Sequence, residues 1–243
     1  MRDSADGSLN ELDEYAVEAA LRLTEAATEQ GDEDHEVIAI TLGPAPADLA
    51  IRKAFQMGAT RGIRLSDERM ADSDYFGTAA ALAAAVRLIH AEAPVDLVIT
   101  GQIALDSLGA VIPVLLAEEL GWPALTQAAS VEQTGRNLSV RRTYDDVVEQ
   151  ATAPLPAVLS VTDSANTVRM PNFKLIMAAR AKQIEVLDAD TLGLDVATVG
   201  PSGARAVVVE AKPAPARPEC ELITDKGQGG AALADFLINR ELV

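Results

Sequence analysis

The 243-residue chain has one cysteine, Cys220, and two histidines, His35 and His90. A lone cysteine forms no intramolecular disulfide, which fits a reducing compartment, and two histidines do not furnish a histidine-rich metal centre. Aromatic residues make up only 3% of the chain, so a core has to be built from Ala, Val, Leu and Ile. No apolar run approaches the roughly 18 residues that a membrane-spanning helix requires. The opening MRDSADGSLNE is polar and acidic, unlike a secretory signal. These absences predict a cytoplasmic protein with no membrane insertion.

Positive charge is also scarce: 20 Lys and Arg stand against 37 Asp and Glu, a net charge of −17. A surface of that balance repels a phosphate backbone, which excludes nucleic acid as a partner. Lysine is rarer than arginine, and EQGDEDHE is strongly acidic. The charge fits either a soluble, self-repelling surface or adaptation to a salty cytoplasm, where screening relieves the repulsion. Under the second reading the thermal midpoint rises along a salt series; a maximum in dilute buffer contradicts it.

What the chain has in quantity is apolar residues, 49%, enough for a sizeable core. SLNELDEYAVEAALRLTEAATEQ reads as a helix, with Ser8 and Glu11 as a capping box and Leu12, Tyr15, Ala16, Ala19 and Leu23 on one face. Its acidic residues fit a solvated face. EVIAITLG and VDLVIT read as fully buried strands, and RGIRL as a short one. PAPADLAIRKAFQMGA, SDYFGTAAALAAAVRLIHAEA and AVIPVLLAEELGW read as helices, the first with Pro near its start and Gly58 near its end. Strands alternating with helices predict an α/β fold, a mostly parallel sheet with helices on its faces.

Residues 124–162 change character: ALTQAASVE, LSVRRTY and VVEQATA are short and separated by QTGRN and YDD, which predicts appended hairpin strands. LPAVLSVTD reads as another strand, NFKLIMAARAK as a helix, and QIEVLDADTLGLD as a strand and turn. AKPAPARPECE is expected to be extended and GGAALADFLINREL to be an amphipathic helix. The chain is expected to divide into an α/β domain over 1–195 and a C-terminal arm and helix over 196–243.

Chemistry-bearing motifs are few. TGQIALDSLGA, from Thr100 to Ala110, follows an apolar strand, where open α/β sheets bind ligands. Gly101 lets backbone approach a ligand, Asp106 and Ser107 offer polar groups, and Gly109 opens the next helix, whose amides attract anions. The same residues also read as an ordinary strand-to-helix connection with Asp106 or Ser107 as the cap. TLGPAP repeats that logic at an earlier strand end. His90, late in a helix, suits a surface or helix-dipole role. Cys220, in a proline-rich tail with no basic neighbours, is not a reactive thiol. No catalytic set emerges, which points to a carrier or scaffold.

Read in order, LNELDEYAVEAALRL, EVIAITLGPAPADLAIRKAFQMGATRGIRL, DLVITGQIALDSLGAVIPVLLAEELGWP and LPAVLSVTDSANTVRMPNFKLIMAARAKQIEVLDADTLGLD resemble the β subunit of electron-transfer flavoprotein, the FixA type, over about residues 8–195. The resemblance implies a Rossmann-like fold of the adenine nucleotide α-hydrolase kind. It implies a heterodimer with an α subunit that holds most of the FAD site. That heterodimer accepts electrons from a donor dehydrogenase and passes them to a quinone oxidoreductase or other acceptor. The β subunit would bury an AMP, or in bifurcating members a second FAD, and the arm 196–243 would pack on the partner. The rival readings are a nucleotide-binding stress or sensor protein and a nucleotide α-hydrolase, both of the same general fold.

Carried over by position, the nucleotide site would comprise Asn10, Glu11, Leu12, Asp13 and Leu42. It would continue through Gly101, Gln102, Ile103, Ala104, Leu105, Asp106, Ser107, Leu108, Gly109, Ala110, Val111 and Ile112. The docking loop would be Met170, Pro171, Asn172, Phe173, Lys174, Leu175, Ile176, Met177 and Ala178, with Phe173 at the family's apolar anchor, usually leucine. Two departures stand out. Ser107, Leu108, Gly109 and Val111 replace the family's Gly-Asp-Thr and Gln, leaving backbone amides to hold a phosphate nearly alone. The family's valine-rich opening strand, central in its sheet, is missing, and an upstream start of the native chain is expected.

Overall fold

The computed structural model describes residues 8–32, 34–105, 107–210, 212–216 and 225–243. By contact the chain forms two units, Met1–Val207 and Val208–Val243. In the first, α1 (Glu11–Glu29) leads to β1 (Ile38–Leu42), α2 (Asp48–Met57), β2 (Arg61–Leu65), α3 (Tyr75–Glu92), β3 (Leu97–Gly101) and α4 (Ile112–Leu120). Four short strands come next: β4 (Ala124–Ala128), β5 (Ser130–Thr134), β6 (Asn137–Tyr144) and β7 (Val147–Pro154). Then come β8 (Ala157–Val161), α5 (Phe173–Ala181), β9 (Glu185–Leu187) and the single turn α6 (Gly200–Gly203). The second unit holds α7 (Gly229–Asn239), shorter than the helix expected from sequence.

The strands form two parallel sheets, β1-β2-β9 and β3-β8-β4, and one antiparallel sheet, β5-β6-β7. Alternation along β1 explains the layers around the first sheet. Ile38, Ile40 and Leu42 pack on one face with Ala81, Ala85 and Ile89 of α3. Val37 and Ala39 pack on the other with Ile51 and Phe55 of α2 and Ala179 of α5. The expected α/β architecture, parallel strands flanked by helices, is therefore present.

Three expectations are corrected. β1 and β3 are not fully buried: all of Ile38–Leu42 and residues 97–100 are half-buried, whereas every residue of β8 is buried. The reason is topological. β8 has a strand on each side, while β1 and β3 are edge strands with one ladder each among the described residues. Second, the segment 124–128 is no hairpin strand but runs parallel to β8, with the register shifting between Leu125 and Ala128. Gln127 has φ +59° there, and its amide donates to the hydroxyl of fully buried Ser160 (2.9 Å). Third, α1 has no capping box: Asn10 occupies the N-cap position without a side-chain cap bond, and Ser8 is exposed.

Asp74 shows how the body is tied to the segment after β9. One carboxylate oxygen accepts from the amides of Phe76 and Gly77 (3.0 Å each), capping α3. The other accepts from the amides of Arg205 (2.6 Å) and Ala206 (3.0 Å). Burial opposes its ionisation, but these backbone donors outweigh it and hold the carboxyl below its ordinary value. The stabilisation is complete above the unfolded value, about pH 4, and is lost as pH falls through the lowered folded value. Asp74→Ala is expected to cost about 2 kcal/mol, read by urea unfolding. Asp74→Asn should fall between the two, because an amide keeps the cap and loses the second pair of bonds.

Candidate functional site

The sequence placed two surfaces on this body, and the structure assembles part of the first. At the carboxyl end of β3 the Gly101 amide donates to the Asp13 carboxylate (2.7 Å). Asn10 Nδ2 donates to Asp13 (2.9 Å) and to the Ile103 carbonyl (2.9 Å). Asn10 and Asp13 are thus joined to Gly101 and Ile103. Leu42 stands at the end of β1 in the neighbouring sheet and packs with that sheet's core.

Gly101 answers to α1. A Cβ there would lie 2.5 Å from the Leu12 carbonyl oxygen and 2.8 Å from Asp13 Oδ1. The close approach it permits is that of the first turn of α1. Gly109 likewise faces protein: a Cβ would meet the Tyr75 ring at 2.6 Å, and the Tyr75 hydroxyl donates to the Ser107 carbonyl (3.2 Å). Tyr75, the first residue of α3, was not singled out in the sequence; the signal present was a tyrosine directly after a capping aspartate.

Gly109 does not open α4, and Ser107 does not cap it. That helix begins at Ile112 behind Val111, with no side-chain cap and with Pro113 in its first turn. Asp106 lies outside the described residues. Leu108 and Ala110 both have φ +51°, a region that costs a non-glycine residue about 1–3 kcal/mol. The amides of Ser107 (3.3 Å) and Leu108 (2.8 Å) donate to the Ala104 carbonyl, while Leu105 and Leu108 face solvent. Among the described residues, no acceptor is paired with the amides of Gly109, Ala110 and Val111. Asn10 Oδ1 is buried without a hydrogen-bond partner. The orphaned acceptor and, among the described residues, these amides without an acceptor stand on the segments joined at the carboxyl end of β3.

The second surface lies around the start of α5. Met170 is 89% and Phe173 77% exposed, and Met177, one turn after Phe173, is 45% exposed. Asn172 caps α5 through Leu175 N (2.9 Å). The far end of that helix is fixed by Arg52, which donates to the carbonyls of Ala179 and Lys182, and by Lys182 Nζ on the Ala59 carbonyl (2.6 Å).

One acidic residue of α1 departs from the solvated face expected of it. Glu18 is 2% exposed and accepts from Arg22 Nε (2.6 Å) and Arg169 Nε (2.7 Å). Burial works against its ionisation, and the hydrogen bonds from Arg169 and Arg22 prevail, holding the carboxyl below its ordinary value. Hydrogen bonds that Arg169 donates to Glu25 and Glu18 raise its guanidinium in turn. His90 is exposed as expected, and its Nδ1 accepts from the Val95 amide (3.0 Å). Cys220 lies outside the described residues. Among those described, no cluster of three metal-ligating side chains exists, and no helix is long and apolar enough to cross a membrane.

Parallel strands between helical layers, with an irregular loop after β3 and an apolar rim at α5, define a Rossmann-like α/β domain. The family described as "Electron transfer flavoprotein domain" matches residues 1–192. The electron transfer flavoprotein subunit beta of Mycobacterium tuberculosis is 38% identical over 242 residues, covering 100% of this chain and 90% of that protein. The bovine subunit is 34% identical over 194 residues, 80% of this chain and 73% of that protein. Protein FixA of Azotobacter vinelandii is 29% identical over 240 residues, 97% and 83% respectively. The chain belongs to the electron transfer flavoprotein family, on its β-subunit branch.

Proposed function

We propose that this chain is the non-catalytic half of a heterodimeric electron carrier. An α subunit holds most of an FAD, and this chain closes the dimer, presents a docking loop to a donor dehydrogenase and holds AMP. The observation that carries the docking role is the exposure of Met170, Phe173 and Met177 on a segment fixed at both ends. Water disfavours such a group of side chains, and a protruding aromatic is well suited to fill a pocket on a partner. FAD supplies the redox chemistry when bound. The residues of this chain fix where a partner approaches it, and so the distance over which electrons pass to the quinone oxidoreductase or other acceptor.

Support for the nucleotide comes from the orphaned Asn10 Oδ1 and the amides of Gly109, Ala110 and Val111. Support for the α-subunit contact comes from α7, which has no buried residue and carries Leu233, Phe236 and Ile238. Mass analysis of small molecules extracted from the purified heterodimer should find FAD and AMP together. FAD without AMP removes the nucleotide role; an extract with no flavin overturns the reading.

A further inference from the structure

We infer that Glu18 is a positioning residue for partner docking, holding from beneath the segment that displays Met170 and Phe173. This rests on the reading of that segment as the docking surface. Besides Nε, Arg169 gives Glu18 its backbone amide (3.2 Å) and Nη2 (3.3 Å). The same guanidinium reaches Glu25 at 2.5 and 3.0 Å. Arg22, held on Glu18, donates onward to the Thr167 carbonyl (2.9 Å), and Asn166 Nδ2 donates to the Tyr15 carbonyl (2.9 Å). One face of α1, at positions 15, 18, 22 and 25, thereby grips the backbone or side chains of residues 166, 167 and 169.

Just beyond the grip, Met170 is 89% exposed, and Asn172 fixes the next turn. Only residues 170 and 171 lie between the two clamps, so the apolar side chains leave the surface in a set direction. A buried ion pair brings little net stability over an apolar pair of equal volume, because desolvation offsets the attraction. What this one adds is direction, since Glu18 binds both the side chain and the main chain of Arg169. A loop already held in its bound conformation gives up less freedom on docking, and the saving appears as affinity.

The test uses the flavin-loaded heterodimer carrying Glu18→Gln, with reduction by the donor dehydrogenase followed at the flavin absorbance. The KM for the carrier should rise about tenfold with kcat and flavin content unchanged, and the amides of residues 166–173 should exchange faster with deuterium. Should Glu18→Gln fail to fold, Glu25→Gln removes the outer half of the same grip and should raise KM about threefold with the same change in exchange. Phe173→Ala is run beside them. An unchanged KM with Phe173→Ala removes the docking surface itself. A raised KM with Phe173→Ala and none with the glutamate variants overturns the role of Glu18 alone.

Discussion

Phe173→Ala is expected to raise the concentration of carrier needed for half-maximal reduction by a donor dehydrogenase by about 30-fold or more, the effect of losing an interface anchor worth about 2 kcal/mol. The side chain is 77% exposed and belongs to none of the buried clusters, so folding has little stake in it. The unfolding free energy should stay within the small range of ordinary surface changes, about 0.5 kcal/mol. The flavin spectrum of the heterodimer should also be unaltered, which separates loss of docking from loss of cofactor. Steady-state kinetics with the dehydrogenase check it. An unchanged KM would mean that the partner approaches elsewhere.

Gly101→Ala should act on the opposite side of that division, on stability. The atoms its methyl would strike are the main-chain carbonyl of Leu12, at 2.5 and 2.6 Å, and the Asp13 carboxylate. A backbone carbonyl cannot swing aside as a flexible side chain can. Either α1 lifts from β3 or β3 shifts, and in both cases the Asp13–Gly101 bond lengthens. Overpacking of this kind costs about 1–3 kcal/mol. For a chain of this size that is about 3–10 °C in thermal midpoint, readable by calorimetry on the purified protein. A normal midpoint with loss of bound nucleotide would return Gly101 to the ligand-facing role read from the sequence.

The alternation of strands and helices was legible because Val, Ile and Leu runs and alanine-rich stretches carry their periods locally. Burial was less so. EVIAITLG and VDLVIT have the composition of central strands, but composition records what a strand is able to bury and not how many neighbours it has. Among the described residues, β1 and β3 each have one. The parallel pairing of 124–128 with β8 was hidden because its partner lies after both hairpins in sequence and its bulge at Gln127 has no glycine to mark it.

Glu18 was hidden for the same kind of reason. A glutamate four places before Arg22 on an acidic helix looks like a surface pair, and the residue that buries it, Arg169, lies 151 positions away. The segment proposed for docking was singled out by family resemblance alone, since exposed Met170 and Phe173 carry no local pattern that marks them. The loop after β3 was located correctly at a strand end. Gly109 does not open α4 as expected, and at both Gly101 and Gly109 protein comes close, since glycine marks a close approach without saying what approaches.

The claim on which the rest depends is that this chain lends shape to a flavin held chiefly by another chain. The visible absorption spectrum of the purified protein tests it most directly, taken once for the chain expressed alone and once after co-expression with its α subunit. The account predicts a colourless protein in the first case and a yellow complex with a flavin spectrum in the second. A chain that binds flavin and turns over a substrate by itself, or one that stays colourless beside its partner, would contradict it.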